Sequence, residues 1–357
     1  MTLKLFACRA VAMVVAAGMF IRVFAGCEGK PPREVVLYSS ADSDVLAKVV
    51  SAYEASGGAK VLVVGDTEAT KTTGLVQRLL IEEDAPRADV WWSSEALGTF
   101  TLKKRGLLRP MDSAVVRAAI GDRDAALIGP DGAWVGFAAR ARVIAFNTKV
   151  TGASPKSLGD LAQERFRGRI GMARPQFGTT RTHVAALVGA FGEEAATDIL
   201  EALKANGLRL YDGNSSVVRA IAEGEIDAGL TDTDDVWAAK ENGWPVEMNF
   251  EASSEPAVAG SSGWRTSGPL VIPNTVALIK GGPHPEEADR LAAFLLSPEV
   301  ERLLASSRSR NTPTLPAVAS EYPELLVPGP WAVSTSEIVQ ASEAAAALIE
   351  RLFPLGG

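Results

Sequence analysis

From Val35 onward the chain repeats one pattern: a short apolar run, a polar loop, then apolar positions recurring at helical spacing. The first unit is "VVLY" (Val35 to Tyr38), the loop "SSAD", and a helix from Ser43 that buries Val45, Leu46, Val49, Val50 and Tyr53. The second is "KVLVV" (Lys60 to Val64) and a helix burying Leu75, Val76, Leu79 and Leu80. The third is "ADVWW" (Ala88 to Trp92), then "SSE" and a helix that stops at Gly106, a residue suited to the position just past a helix end. Strands alternating with helices predict an α/β fold, a parallel sheet with helices on both faces.

The pattern breaks at "WVGFAARARVIAFNT" (Trp134 to Thr148), a long β-rich passage with no helical period, expected as a pair of strands passing from one domain to another. A second set of units follows. "RIGMA" (Arg169 to Ala173) leads through "RPQFGTT" to a helix with Val184, Leu187, Val188 and Phe191 on one face. "LRLY" (Leu208 to Tyr211) leads to a helix carrying Val217, Val218 and Ile221, and "DAGL" (Asp227 to Leu230) to one ending near Gly243. "GPLVIPNTVALIK" (Gly268 to Lys280) is expected to return the chain to the first domain ahead of a helix from Pro285 to Leu296, and a last helix is expected from about Ser336 to Leu352.

At 357 residues the chain has room for two domains. Its N-terminus has the order of an export signal: Lys4 and Arg9, the apolar run Ala10 to Ile21, then small residues to Gly26. That run is too short to span a bilayer. Residues 1–26 are therefore expected as a signal peptide. "FAGC" (Phe24 to Cys27) resembles a lipobox, which implies lipidation of Cys27, with 27–34 as a polar tether to the membrane surface; an ordinary secretory signal is the plainer alternative. The net charge of −7 becomes −10 once the leader, with three basic residues and no acid, is removed. Such a balance excludes nucleic acid as a partner.

Ligands of open α/β sheets sit beyond the carboxyl ends of the strands. Here those ends carry Ser39, Ser40 and Asp42; Ser93, Ser94 and Glu95; Gly178, Thr179 and Thr180; Asn214, Ser215 and Ser216; and Asp232, Asp234 and Asp235. The set offers oxygen ligands and hydrogen-bond donors, with no nucleophile–base pair. "FGTT" opens a helix, whose free amides and hydroxyls suit an anion as well as a simple helix cap. In "AGLTDTDDVW" (Ala228 to Trp237) one aspartate can cap the helix and two can sit in its first turn, but three carboxylates crowded together also call for a cation. Arg140 and Arg142 are expected as partners of a ligand or of the cleft acids. With only His183 and His284 in the chain, a histidine metal cluster is excluded, and both are expected to be exposed. Trp91, Trp92 and Trp237 could wall a cleft or simply pack.

"NSSVVRAIAEGEIDAGL" (Asn214 to Leu230), "ADVWWSSEALGTF" (Ala88 to Phe100), "RARVIAFNT" (Arg140 to Thr148) and "GPLVIPNTVALIKG" (Gly268 to Gly281) resemble the periplasmic ferric-ion-binding proteins of ABC importers. The resemblance implies a two-lobed, hinge-linked type II periplasmic-binding-protein fold, each lobe a mainly parallel sheet flanked by helices. One lobe would take 35–140 and about 260–305, the other 141–259 and about 306–357. It further implies a soluble monomer, in the periplasm or at the cell surface, that serves an inner-membrane permease and ATPase.

Carried over by position, the family's two iron-binding tyrosines fall on Asp234 and Asp235, its first-loop histidine on Asp42, and its glutamate at Ser94, beside Glu95. Asp232 joins these as an auxiliary acid. The synergistic anion, phosphate or carbonate, falls on Gly178, Thr179 and Thr180 with Asn214, and Ser39 and Ser40 add hydroxyls. Iron(III) is thus the expected ligand. Replacing phenolates by carboxylates also suits a zwitterion such as 2-aminoethylphosphonate, its ammonium on the aspartates. A hydrolase using paired carboxylates, and a receptor reporting to a membrane sensor, are the expectations from other classes.

Overall fold

A computed structural model describes residues 33–66, 72–150, 152, 154–252 and 268–355. The expected leader, Cys27 and most of the tether lie outside the described residues, as does 253–267, where the first lobe was expected to resume.

The chain opens with β1 (Glu34–Ser39), α1 (Ser43–Ala55), β2 (Lys60–Gly65), α2 (Thr73–Ile81), β3 (Val90–Ser93), α3 (Leu97–Lys104), β4 (Leu108–Arg109) and α4 (Ala114–Ile120). The long β5 (Trp134–Asn147) leads to α5 (Leu158–Leu161), β6 (Ile170–Ala173), α6 (Gly178–Phe191), α7 (Glu193–Ala205), β7 (Arg209–Tyr211), α8 (Asn214–Ala222), β8 (Ala228–Asp232), α9 (Thr233–Glu241) and β9 (Val246–Asn249). Next come β10 (Val271–Ile279), α10 (Pro285–Leu295), α11 (Pro298–Ala305), α12 (Pro316–Ala319) and α13 (Thr335–Leu352).

Two sheet halves share β5. In the first, β2, β1 and β3 run parallel, and β10 joins β3 and β5 antiparallel. In the second, β8, β6 and β7 are parallel while β5 pairs antiparallel with β8 and β9. The expected pair of strands in Trp134 to Thr148 is instead one strand. It leaves β10 after Ala141 and takes up β8 at Arg142. No turn signal interrupts that passage, and every residue of the strand is buried except the half-buried Phe146, so a continuous strand satisfies its backbone from both lobes.

Alternation explains why both faces of each half are covered. In β1, Val35 and Leu37 face one core cluster with α1, α10 and α11, while Tyr38 faces another with α2 and α3. In β5, Ile144 joins the cluster built by α6, α7 and α13, and Val143 and Ala145 the one built by α8 and α9. A Cβ on Gly189 would stand 2.9 Å from the Glu337 carbonyl oxygen, so glycine is what lets α6 and α13 approach this closely. The amphipathic α7, with Ala196, Ile199, Leu200 and Leu203 buried, was not anticipated because it follows α6 almost directly.

The segment before α13 departs from the expected lobe boundary near 306. Thr312 exchanges backbone hydrogen bonds with Ala139, and the buried Glu301 of α11 accepts from the amides of Thr314 and Leu315. These bonds hold residues 312–315 on the first half, while Arg308 and Arg310 reach α9 and Trp331, Val333 and α13 pack on the second. Both crossing strands are irregular at one level. Ala138 has φ +41°, and β10 shifts register between Pro273 and Asn274, whose side-chain Nδ2 donates to the Ala138 carbonyl.

Candidate functional site

The parallel strands β6, β7 and β8 end on one side, and three helices start there: α6 at Gly178, α8 at Asn214 and α9 at Thr233. Their first-turn amides have no partners inside the helices, and the dipoles add positive potential at the same place. Gly178 has φ +56°, which lets the chain turn sharply into α6. Asp42 and Ser94, beyond β1 and β3, face these helix ends across a narrow cleft of about 40 Å³. That is room for an ion with a small anion or a few waters.

Asp232, Asp234 and Asp235 present carboxylate oxygens all within 4.8 Å of one another. Asp232 stands at the N-cap position of α9, but its carboxylate makes no cap bond. It lies opposite Arg142 in the β5–β8 register and accepts from Arg142 Nη1 at 2.7 Å, Thr179 Oγ1 at 2.5 Å and Asn214 Nδ2 at 2.8 Å. Four bonds to one carboxylate are about what its lone pairs can take, and Asp232 approaches that limit as the knot tying β8, β5, α6 and α8 together. Asp234 and Asp235 occupy the first turn of α9, where negative charge is favourable. Arg140 Nη1 lies 3.1 Å from Asp234 Oδ2, with both side chains nearly buried. The two arginines expected as partners of ligand or cleft acids are thus found on the cleft acids. Their spacing of two in a strand, which places them on one face with the aspartates, was the available signal.

On the anion side, Thr179 spends its hydroxyl on Asp232 and accepts from Asn214 Nδ2 at 3.0 Å. The buried Thr180 Oγ1, Arg142 Nε and Arg142 Nη2 have no hydrogen-bond partner among the described residues. Orphaned donors of this kind cost stability in a closed protein and are ready to meet an anion. Asp212 and Arg174 also line the cleft and bond each other at 3.3 Å; neither was singled out in the sequence. Together five carboxylates face Arg140, Arg142 and Arg174, leaving a deficit of two positive charges.

Of the expected residues, Glu95 and Ser39 are not brought to this cluster. Glu95 turns back to cap α3, accepting from the amides of Leu97 at 2.5 Å and Gly98 at 2.9 Å, and takes a bond from Thr182 of α6 at 3.2 Å. It lines a separate cavity of about 130 Å³ with Arg181, and burial raises its pKa above the ordinary carboxyl range. Ser39 accepts from the Ala41 amide. Ser40 is bound into a hydroxyl network with Thr72 and the Ser94 amide. Both serines are buried at the end of β1, and Ser40 lines a larger cavity of about 800 Å³ that Asp42, Asp234 and Asp235 also face.

His183 is buried rather than exposed, and burial, then the neighbouring Arg142, push its pKa down to about 3. His284 places Nδ1 2.9 Å from the buried Asp89. Trp91 and Trp92 are fully buried and pack, Trp92 donating to Asn274. Trp237 lies between Lys240 and Arg310, whose charged ends sit 4.9 and 5.0 Å from its ring centre.

Comparison with known proteins gives the family and the fold. The family model for bacterial extracellular solute-binding proteins matches residues 98–327. The major ferric iron-binding protein of Neisseria meningitidis serogroup B is 28% identical over 296 residues, covering 81% of this chain and 83% of its own. The iron-bound HitA structure from Pseudomonas aeruginosa superposes with a TM-score of 0.75 at 26% identity, over 90% of this chain and 100% of that one. AfuA from Actinobacillus pleuropneumoniae, with fructose-6-phosphate bound, gives a TM-score of 0.72 at 18% identity over 90% and 99%, a likeness of fold alone.

Proposed function

The chain belongs to the bacterial extracellular solute-binding proteins, and on that premise we propose that it carries iron(III), with a synergistic anion, as the cargo-binding component of an ABC importer. The observation that carries this reading is the convergence of Asp232, Asp234 and Asp235, with Asp42 facing them from the first lobe. Carboxylate oxygens are hard donors and suit a hard, highly charged ion. Asp234 and Asp235 are the principal ligands, Asp42 joins from the opposite lobe, and Asp232 orients the site through its bonds to Arg142, Thr179 and Asn214. The unpartnered donors of Thr180 and Arg142, with the first amides of α6, take phosphate or carbonate. Glu95, Ser39 and Ser40 serve the frame, in keeping with the bonds they make.

Closure and opening take place about the irregular level of β5 and β10, at Ala138 and Asn274. The two lobes bury the cargo and present it to a membrane permease driven by its ATPase. Lipidation of Cys27 would keep the monomeric protein at the membrane surface beside that permease. Solute binding, rather than catalysis, is the activity of the family, and the cleft's role here is to hold its cargo.

A zwitterion such as 2-aminoethylphosphonate would place its ammonium on the aspartates and its phosphonate on the same orphaned donors. A thermal-unfolding titration separates the two. Stripped protein is heated with ferric citrate, with and without phosphate, and with 2-aminoethylphosphonate. Iron at a hundredfold excess over its dissociation constant should stabilise by about 2.7 kcal/mol. A shift with the phosphonate alone would overturn the iron reading.

A further inference from the structure

We infer that Arg140 is a resident counter-cation that sets the charge of the cargo, admitting multivalent cations to Asp234 and turning away singly charged ones. This rests on the reading that Asp234 and Asp235 bind a cation, and concerns what selects it. Arg140 projects from β5 just before that strand changes lobes, and its side chain is 8% exposed against 5% for Asp234. Nη1 lies 3.1 Å from Asp234 Oδ2, while Nη2 reaches Asn274 Oδ1 only at 3.4 Å and Nε is buried with no partner.

A second buried arginine shows what a structural strut looks like in the same fold. Arg123 uses all three guanidinium nitrogens, bonding Thr314, the carbonyls of Ala119, Ile120 and Leu296, and Glu301 at distances of 2.8–3.2 Å. Among the described residues Arg140 has no such set of bonds. It is held chiefly by charge. Burial works to lower its pKa, and Asp234, Asp232, Asp42 and Asp235, in that order of strength, outweigh burial and raise it. The guanidinium lines the same cleft as these carboxylates and lies against Asp234, beside the place proposed for the cargo.

The consequence follows from Coulomb's law. A singly charged ion, whether potassium or an ammonium, can only exchange one positive charge at Asp234 for another, and gains nothing for its own desolvation. An ion of charge two or three gains more from the ring than Arg140 does, and draws Asp234 away while the weakly bonded guanidinium gives way. The same residue lowers affinity for the proper cargo, which favours release to the permease.

The test compares the whole protein with Arg140→Gln and Arg140→Lys by equilibrium titration with ferric citrate, potassium and 2-aminoethylphosphonate. Arg140→Gln should bind iron roughly tenfold or more tightly, since a unit charge is removed from beside the ion, and should begin to respond to singly charged ligands. Arg140→Lys, which keeps the charge, should restore the original selectivity. A structural arginine would not produce that rescue together with tighter binding. Because Arg140→Gln leaves Asp234 without its counter-charge, the same substitution is also made in an Asp234→Asn background, where it should again strengthen iron binding. Equal or weaker iron binding in both Gln variants, with the original protein still binding iron, would overturn the inference alone. If no multivalent cation binds the original protein, the cation reading falls with it.

Discussion

Replacing Asp232 by alanine should be among the most damaging single changes in the second lobe. Its carboxylate and the Arg142 side chain are each 2% exposed, and the same carboxylate is the acceptor for Thr179 and Asn214. Removing one member of a buried ion pair leaves the other charge uncompensated and typically costs about 3–5 kcal/mol. For a protein whose whole stability is on the order of 5–15 kcal/mol, that is a large fraction. The reasoning makes a sharper demand of the double variant Arg142→Met/Asp232→Leu, in which neither charge is left. Apolar replacements of buried pairs are often neutral or better, although Thr179 and Asn214 would still lose an acceptor at roughly 1–3 kcal/mol. The double variant should therefore recover at least about 2 kcal/mol of the single variant's loss. Urea unfolding of ligand-free protein measures Asp232→Ala, the double variant and its two components, Arg142→Met and Asp232→Leu. A loss below about 1 kcal/mol for Asp232→Ala, or a double variant equal to the sum of its singles, would refute the pair as the knot of this lobe.

Acid should weaken the fold through His183. Its pKa is about 3 folded against 6.5 unfolded, so below pH 6.5 the unfolded chain binds a proton that the native state refuses; the stability is present above pH 6.5 and lost as pH falls toward 3. Urea unfolding at pH 7 and pH 5 should show a His183 contribution of up to about 2 kcal/mol, absent in His183→Gln. Glu95→Ala should lower the ligand-free melting temperature by loss of the α3 cap, yet leave the iron-dependent shift in place; loss of that shift would return Glu95 to the ligand set. Arg308 pairs with Glu241 at 3.4 Å and Arg310 stacks on Trp237, both joining the chain after α11 to α9. Replacing both by serine should remove about 1–2 kcal/mol from the closed form and weaken cargo binding roughly five- to thirtyfold, with a larger radius of gyration by small-angle scattering in the ligand-free protein.

The fold was legible because its signals are local. Period-2 and helical spacing marked β1 through α3 and β6 through α9, and the loops after each strand pointed to one edge. What escaped was set by distant partners. Nothing within "RARV" says that Arg142 will lie opposite Asp232, since that depends on the β5–β8 register. His183, next to the loop expected to be exposed, is buried because α13 and β5 close over α6. Glu95 and Ser94 are adjacent in sequence, yet the start of α3 turns one to its own amides and leaves the other lining the cleft. The four aspartates were visible as a group, and Arg140 and Arg142 as candidate partners for them, while which arginine meets which aspartate became evident only from distances.

The central claim is tested most directly by anomalous diffraction at the iron absorption edge, on crystals of the protein saturated with ferric citrate and phosphate. The account predicts one strong peak within bonding distance of both Asp234 and Asp235, with the anion against Thr180 and the first amides of α6. A peak elsewhere, or none at saturating iron, would contradict it.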